Sequence, residues 1–120
     1  MLRLGLEDRP EFLAGDDTKL RELLHPAKHD LKLGYSLAHG TLGPHQRSKW
    51  HRLSSSEVYY FIAGSGEFLI DNDSSSITAG SVVYVPPGAK QSVVNTGSED
   101  LQFLCLVDPA WRTEDEDVLE

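Results

Sequence analysis

What most limits the fold of this chain is its punctuation after residue 34. The segments LGYSLAHGTL, KWHRL, EVYYFIA, GEFLID, SITA, SVVYV, QSVVN and LQFLCLV are short and rich in Val, Tyr, Phe, Ile and Leu. Turn-forming clusters separate them: Gly43-Pro44, Ser54-Ser55-Ser56, Ala63-Gly64, Asp71-Asn72-Asp73 and Pro86-Pro87-Gly88. Seven or eight strands at hairpin spacing form an antiparallel sandwich or barrel. There is no internal repeat and no sign of a second domain. Gly64-Ser65-Gly66 precedes a strand-like segment, so it reads as a hairpin turn and not as a phosphate-binding loop, which opens a helix.

A chain of 120 residues is long enough for one domain with a core that needs no disulfide staples. Its 39% hydrophobic and 25% charged residues are ordinary globular composition, which excludes disorder. No apolar run approaches the roughly 20 residues of a membrane-spanning helix. Charges interrupt MLRLGLEDRPEFLAGDD before a signal-peptide core can form, so a cytoplasmic protein is expected. The single cysteine, Cys105, lies in LQFLCLV and is expected to be a buried hydrophobe in a reducing compartment. A net charge of −8 without a basic stripe argues against nucleic acid, whose binding draws on counterion release by Lys and Arg.

Residues 16–26, DDTKLRELLHP, read as a short helix: Asp17 or Thr18 caps it, Leu20, Leu23 and Leu24 form its apolar stripe, and Pro26 stops it. His25 is then a helix-end residue. The expected division is a helix-bearing arm over 1–33, a core over 34–108 and an acidic tail over 109–120. The run TEDEDVLE in that tail reads as a solvated, mobile end. Trp111 is a candidate anchor that would hold the tail on the sheet, and an acidic tail residue is a candidate lid over a site.

The spacing inside the core is specific. Five residues separate Gly43 from Lys49, one separates Lys49 from His51, Glu57 follows, and six more lead to Gly64. After fifteen residues comes Gly80; five residues then lead to Pro86, one to Gly88, two to Gln91 and three to Asn95. This pattern resembles the two motifs of the cupin family, G-x5-H-x-H-x3-4-E-x6-G and G-x5-P-x-G-x2-H-x3-N. The resemblance spans residues 34 to 108. It implies an all-β, double-stranded β-helix (jelly-roll) barrel, often dimeric, with a site inside its mouth. In metal-binding members two histidines and a glutamate of the first motif and a histidine of the second hold a divalent ion. Those positions here are Lys49, His51, Glu57 and Gln91, so two of the four depart from the pattern. The loop between His51 and Glu57 is also one residue longer than usual.

Strand parity puts Lys49 and His51 on one face, and Glu57, Tyr59 and Phe61 on one face. His51 and Glu57 flank a short turn, which allows them to meet across a hairpin. Gly80 and Gly88 suit conformations closed to side chains, and Pro86-Pro87 stiffens the turn before Gln91. Tyr59 and Phe61 are expected to line the interior, Tyr59 with a hydroxyl to offer. Asn95 is expected to satisfy backbone groups at a strand end. His45 and His39 are weaker candidate ligands.

Two chemistries follow. An imidazole from His51, a carboxylate from Glu57 and an amide oxygen from Gln91 suit Zn²⁺, Mn²⁺, Fe²⁺, Co²⁺ or Ni²⁺ with open positions for substrate. Lys49 opposes this, because an ammonium aimed at the ion repels it; unit charges about 4 Å apart at an effective dielectric of about 20 interact by roughly 4 kcal/mol. In the second chemistry Lys49 takes the cation's place beside Glu57. The two expectations are a divalent-metal cupin acting on or binding a small polar metabolite, isomerase-like or dioxygenase-like, with Glu57 and Lys49 as catalytic candidates, and a metal-free binding or sensor module using Lys49, His51 and Gln91. Both faces of EVYYFIA and LQFLCLV are apolar, so a homodimer is expected to cover the outer one.

Overall fold

The protein is described by a computed structural model that covers residues 1–120. Eleven strands form two antiparallel sheets: β1 Glu11–Leu13, β2 Lys19–Leu24, β3 Ser36–Leu42, β4 His51–Leu53, β5 Ser56–Ala63, β6 Ser65–Ile70, β7 Asp73–Thr78, β8 Val82–Val85, β9 Gln91–Asn95, β10 Leu101–Asp108 and β11 Glu116–Val118. One sheet runs β1-β2-β3-β10-β5-β8 and the other β11-β4-β9-β6-β7. The architecture is the expected all-β jelly roll, built as two facing sheets that do not close into one continuous ladder. No helix is long and apolar enough to cross a membrane.

Period-two patterning builds the interior. Along β10, Leu101, Phe103, Cys105 and Val107 are buried while Gln102, Leu104 and Leu106 face the other way. Glu57, Tyr59 and Phe61 are the buried set of β5. Tyr59, Phe61, Phe68 and Phe103 pack as an aromatic cluster with ring centroids 4.8–6.2 Å apart, joined by Leu42, Ile77, Val85, Val93 and Leu101. Such offset and edge-on pairs add to the burial of their area. Gly64 adopts φ +89°, and a Cβ there would stand 2.7 Å from the Asp100 carbonyl oxygen, so the β5–β6 turn requires glycine twice over.

The helix expected over 16–26 is not formed. Residues Lys19–Leu24 are β2, paired with β1 on one side and β3 on the other. The register shifts between Glu22 and Leu24, and a bulge of this kind resets strand parity. Leu20, Leu23 and Leu24 imitate a helical stripe because of that interruption, and sheet pairing overrides local helix propensity. Pro26 opens a single helical turn, Pro26–His29, in place of ending a helix, and His25 caps it by accepting the Ala27 N–H through Nδ1.

The acidic tail also differs from expectation. β11 pairs with β4 in the register Glu116↔Leu53, Asp117↔Arg52 and Val118↔His51. Beyond it, the Glu120 carboxylate accepts from the Arg47 guanidinium and from the Trp50 N–H. The tail is therefore an edge strand of the second sheet. Trp111 does anchor it: its N–H donates to Ser36 Oγ at 2.9 Å, and its carbonyl oxygen accepts from His25 Nε2 at 2.8 Å.

Candidate functional site

Between the two sheets, beside the aromatic core, lies a cavity of about 290 Å³. Phe12 and Leu13 of β1, Leu20 and Glu22 of β2, Leu37 and Ala38 of β3, and Phe103 and Cys105 of β10 line one side. His51 and Leu53 of β4, Glu116 of β11, Trp111 and the Ala14–Asp16 turn line the other, while Glu57 and Tyr59 come from β5. Of these, His51, Glu57 and Tyr59 are among the most deeply buried.

His51 and Glu57 do not meet across a hairpin. β4 and β5 belong to different sheets, and the serine-bearing turn between them carries the chain from one sheet to the other. The link across the gap is Gln91, which pairs with His51 in the ladder and donates through Nε2 to Glu57 Oε1 at 2.8 Å. Its own Oε1 accepts from the Tyr59 hydroxyl at 2.7 Å. Tyr59, Gln91 and Glu57 thus form one buried chain of hydrogen bonds that ties the sheets together.

Burial shifts the titration of Glu57, Glu116 and Cys105. Desolvation is the largest influence on Glu57 and raises its pKa to about 7, against the opposing pull of His51 and the Gln91 hydrogen bond. Burial also raises Glu116, with the Asp16 charge adding to the effect and His51 opposing it. Burial pushes the Cys105 thiol well up, which agrees with an inert core residue. The His51 ring has its tautomer assigned by its neighbour. Its Nδ1 lies 2.8 Å from the Lys49 carbonyl oxygen; a carbonyl only accepts, so Nδ1 carries a hydrogen, and Nε2 is the acceptor whenever the ring is neutral.

Lys49 does not join the cavity lining. β4 begins only at His51, so the parity expected for residues 49 and 51 is broken before it starts. The Lys49 N–H donates to the Asp16 carbonyl at 2.7 Å, and its Nζ lies 3.7 Å from Asp17 Oδ2, part-exposed. In its stead Asp16 enters, with Oδ2 3.6 Å from His51 Nδ1. Its Oδ1 accepts the Thr18 N–H at 3.0 Å, while Asp17 turns the chain at φ +73°. Asp16 is the site residue that strand-pattern reasoning misses, since it arrives from outside the core motifs, whereas Glu116 is an acidic tail residue at the site, as the tail composition led us to expect. The GDD turn was the one available signal for Asp16. Phe61 belongs to the sealed core and not to the cavity wall, and His45 is exposed on a turn. His39 is buried on β3, away from the cavity lining.

A metal ion implied by the motif resemblance meets a poor donor set. Lys49 is turned away, and the Gln91 amide oxygen is engaged by Tyr59 while its NH₂ faces Glu57. An amide presents a donor to Glu57, where a shared cation would require an acceptor. One imidazole nitrogen and one carboxylate remain of the four positions. No three His, Cys, Asp or Glu side chains converge closely enough to hold an ion. The residues present do not fit the family's four-ligand centre.

Fold and site together define a small jelly-roll protein with a cavity between its sheets that buries His51, Glu57 and Tyr59. The comparisons place it further: the family model for the cupin domain matches residues 38–107, and the chain belongs to the cupin family. It is 30% identical over 110 residues, 91% of this chain and 87% of the relative, to the uncharacterised protein MJ1618 of Methanocaldococcus jannaschii. It is 37% identical over 51 residues, 42% of each chain, to an oxalate-binding protein of Thermotoga maritima. Among solved structures, a Cupin 2 conserved barrel domain protein from Salinispora arenicola CNS-205 superposes with a TM-score of 0.78 at 22% identity, covering 95% of this chain and 91% of that one.

Proposed function

We propose that this cupin binds a small organic molecule in the cavity without a metal ion, and that His51 and Glu57 serve it as a proton acceptor and a proton donor. The observation that carries this reading is the buried floor. Glu57 is held by Gln91 and kept protonated close to neutral pH by burial, while His51, oriented by the Lys49 carbonyl, lines the same cavity. A carboxyl that burial keeps protonated near neutral pH, in one cavity with an imidazole, suits moving a proton between two positions of a bound ligand. Gln91 and the Lys49 carbonyl act as positioning groups: the first holds the carboxyl and the second holds the imidazole tautomer. Phe12, Leu20, Leu37 and Phe103 give the cavity its apolar walls.

A thermal-shift screen on chelator-treated protein, beside an Ala38→Trp variant that fills the cavity, tests this. Ligands should stabilise the chelated wild type and lose their effect in Ala38→Trp. Stabilisation that appears only after a divalent metal is added back would contradict it.

The outer face of the first sheet supports a homodimer. Tyr60, Ile62, Val82 and Tyr84 are 44–65% exposed on neighbouring strands, with Tyr60 opposite Val82 and Val58 opposite Tyr84. A contiguous apolar face of this kind marks an interaction surface.

A further inference from the structure

The end of the chain forms part of the cavity wall without being packed into the protein. Trp111 and Glu116 line the cavity, yet no residue from 109 to 120 is buried. β11 pairs only with β4, over three residues, at the end of its sheet. Beyond it the Leu119 N–H donates to the Trp50 carbonyl at 2.8 Å, and the Glu120 carboxylate accepts from Arg47 and from the Trp50 N–H. A segment held by surface hydrogen bonds, with little apolar area buried, opens at a much smaller free energy than the core.

The base of this segment is fixed and its far end is not. Ala110 donates its N–H to the Gly34 carbonyl at 3.0 Å, and Trp111 is tied to Ser36 and His25. Between Trp111 and β11 lies one exposed turn, in which Arg112 bonds only the Asp115 carboxylate, at 2.8 and 3.0 Å. On its inner side β11 touches the β1–β2 turn without pairing to it: a Cβ on Gly15 would stand 3.5 Å from Val118 Cγ2 and 3.8 Å from Glu116 Oε1. The β1–β2 turn is itself held, by the Lys49 N–H on the Asp16 carbonyl. Val118 lies opposite His51 in the ladder, so the segment covers the strand that carries the imidazole.

We propose that residues 112–120 are a strap over the cavity, hinged after Trp111 and latched by Glu120 on Arg47, and that its release from β4 is how a ligand reaches the floor. With the strap in place His51 and Glu57 are only 3% and 6% exposed. Release withdraws Glu116 from the wall and uncovers the β4 edge at His51. The strap is independent of what the cavity binds, and a failed ligand screen leaves it standing.

The chain carries its own reporter of entry: Cys105, its only cysteine, lines the cavity and is 7% exposed. Alkylation of Cys105 by N-ethylmaleimide, followed by mass spectrometry, therefore times the opening. Arg52→Cys with Asp117→Cys puts a disulfide between directly opposite residues with exposed side chains, at a spacing a disulfide spans. The oxidised variant should label at Cys105 on the order of tenfold more slowly than its reduced form. Arg47→Ala and deletion of residues 116–120 should both quicken labelling. In the wild type the rate should be nearly flat in urea well below the unfolding midpoint, because little surface is exposed by the opening. Equal rates in the oxidised and reduced lock would overturn the strap and place the entrance elsewhere, as would a deletion variant that labels no faster than wild type. A wild-type rate that climbs steeply with urea from the outset would assign the labelling to global unfolding and overturn it too. Amide exchange reads the same motion without substitution: the Leu119 and Ser54 amides, bonded across the β4–β11 seam, should exchange together and well ahead of the buried Val93 amide. Equal protection of all three would contradict the proposal.

Discussion

Gln91 occupies the position of the second motif's metal-binding histidine, yet the residue serves as a strut. It is 0% exposed and satisfies both a phenol and a carboxyl. Tyr59→Phe should leave its amide oxygen buried without a donor and destabilise the fold by about 1–3 kcal/mol, read from urea denaturation. Glu57 makes a sharper prediction in pH. Its folded pKa, about 7, lies above the ordinary carboxyl value of 4.5. The folded state therefore holds the proton more tightly, and stability should fall as pH rises from about 4.5 to 7, by up to about 3 kcal/mol. Glu57→Gln should flatten the Glu57 component of that slope; a wild-type profile that rises over the same range through Glu57 would contradict the assignment. Much of this residue-level detail was legible in advance. Asn95 behaves as its place in the motif implies, donating to the Leu42 and Glu99 carbonyls and accepting the Gly97 N–H. Gly80 and Gly88 take φ +93° and +82°. Lys49 was not legible, because alternation holds only inside a strand and β4 starts two residues too late to govern it.

At the scale of elements, the core strands follow from period-two patterning and turn residues, while both ends of the chain needed the tertiary structure. β2 carries leucines at helical spacing only because a bulge resets its register. β11 has an acidic, unpatterned sequence; it forms because β4 presents an open edge and because Glu120 finds Arg47 and the Trp50 N–H. The Arg47 hydrogen bond is the main reason the Glu120 carboxyl titrates as low as about 2. Deleting residues 116–120 should then uncover the β4 edge and remove Glu116 from the cavity. The expected result is a still-folded protein weakened by roughly 1–3 kcal/mol, with a lower urea midpoint. An unchanged midpoint would mean that the tail is as loose as its composition suggests.

At the scale of the molecule, the two sheets divide the labour. Their facing sides hold the aromatic core and the cavity, and the outer side of the first sheet carries the exposed Tyr60, Ile62, Val82 and Tyr84. Sedimentation should report a dimer, and Tyr60→Lys combined with Tyr84→Lys should give a folded monomer; a wild-type monomer at high concentration would remove the dimer proposal. The family itself was readable from two spaced motifs, since glycines, prolines and strand lengths shape the fold whatever the site contains. The chemistry was not readable from them, because it turns on where Lys49 and Asp16 lie. The most direct measurement is the transition-metal content of untagged protein purified without chelator, wild type beside His51→Ala and Glu57→Ala. A cavity built around a Gln91 strut and an open imidazole predicts far less than one equivalent of metal in all three, and no uptake of added Zn²⁺, Mn²⁺, Fe²⁺, Co²⁺ or Ni²⁺ by the wild type. One equivalent in the wild type, lost in both variants, would contradict it and restore the metal centre.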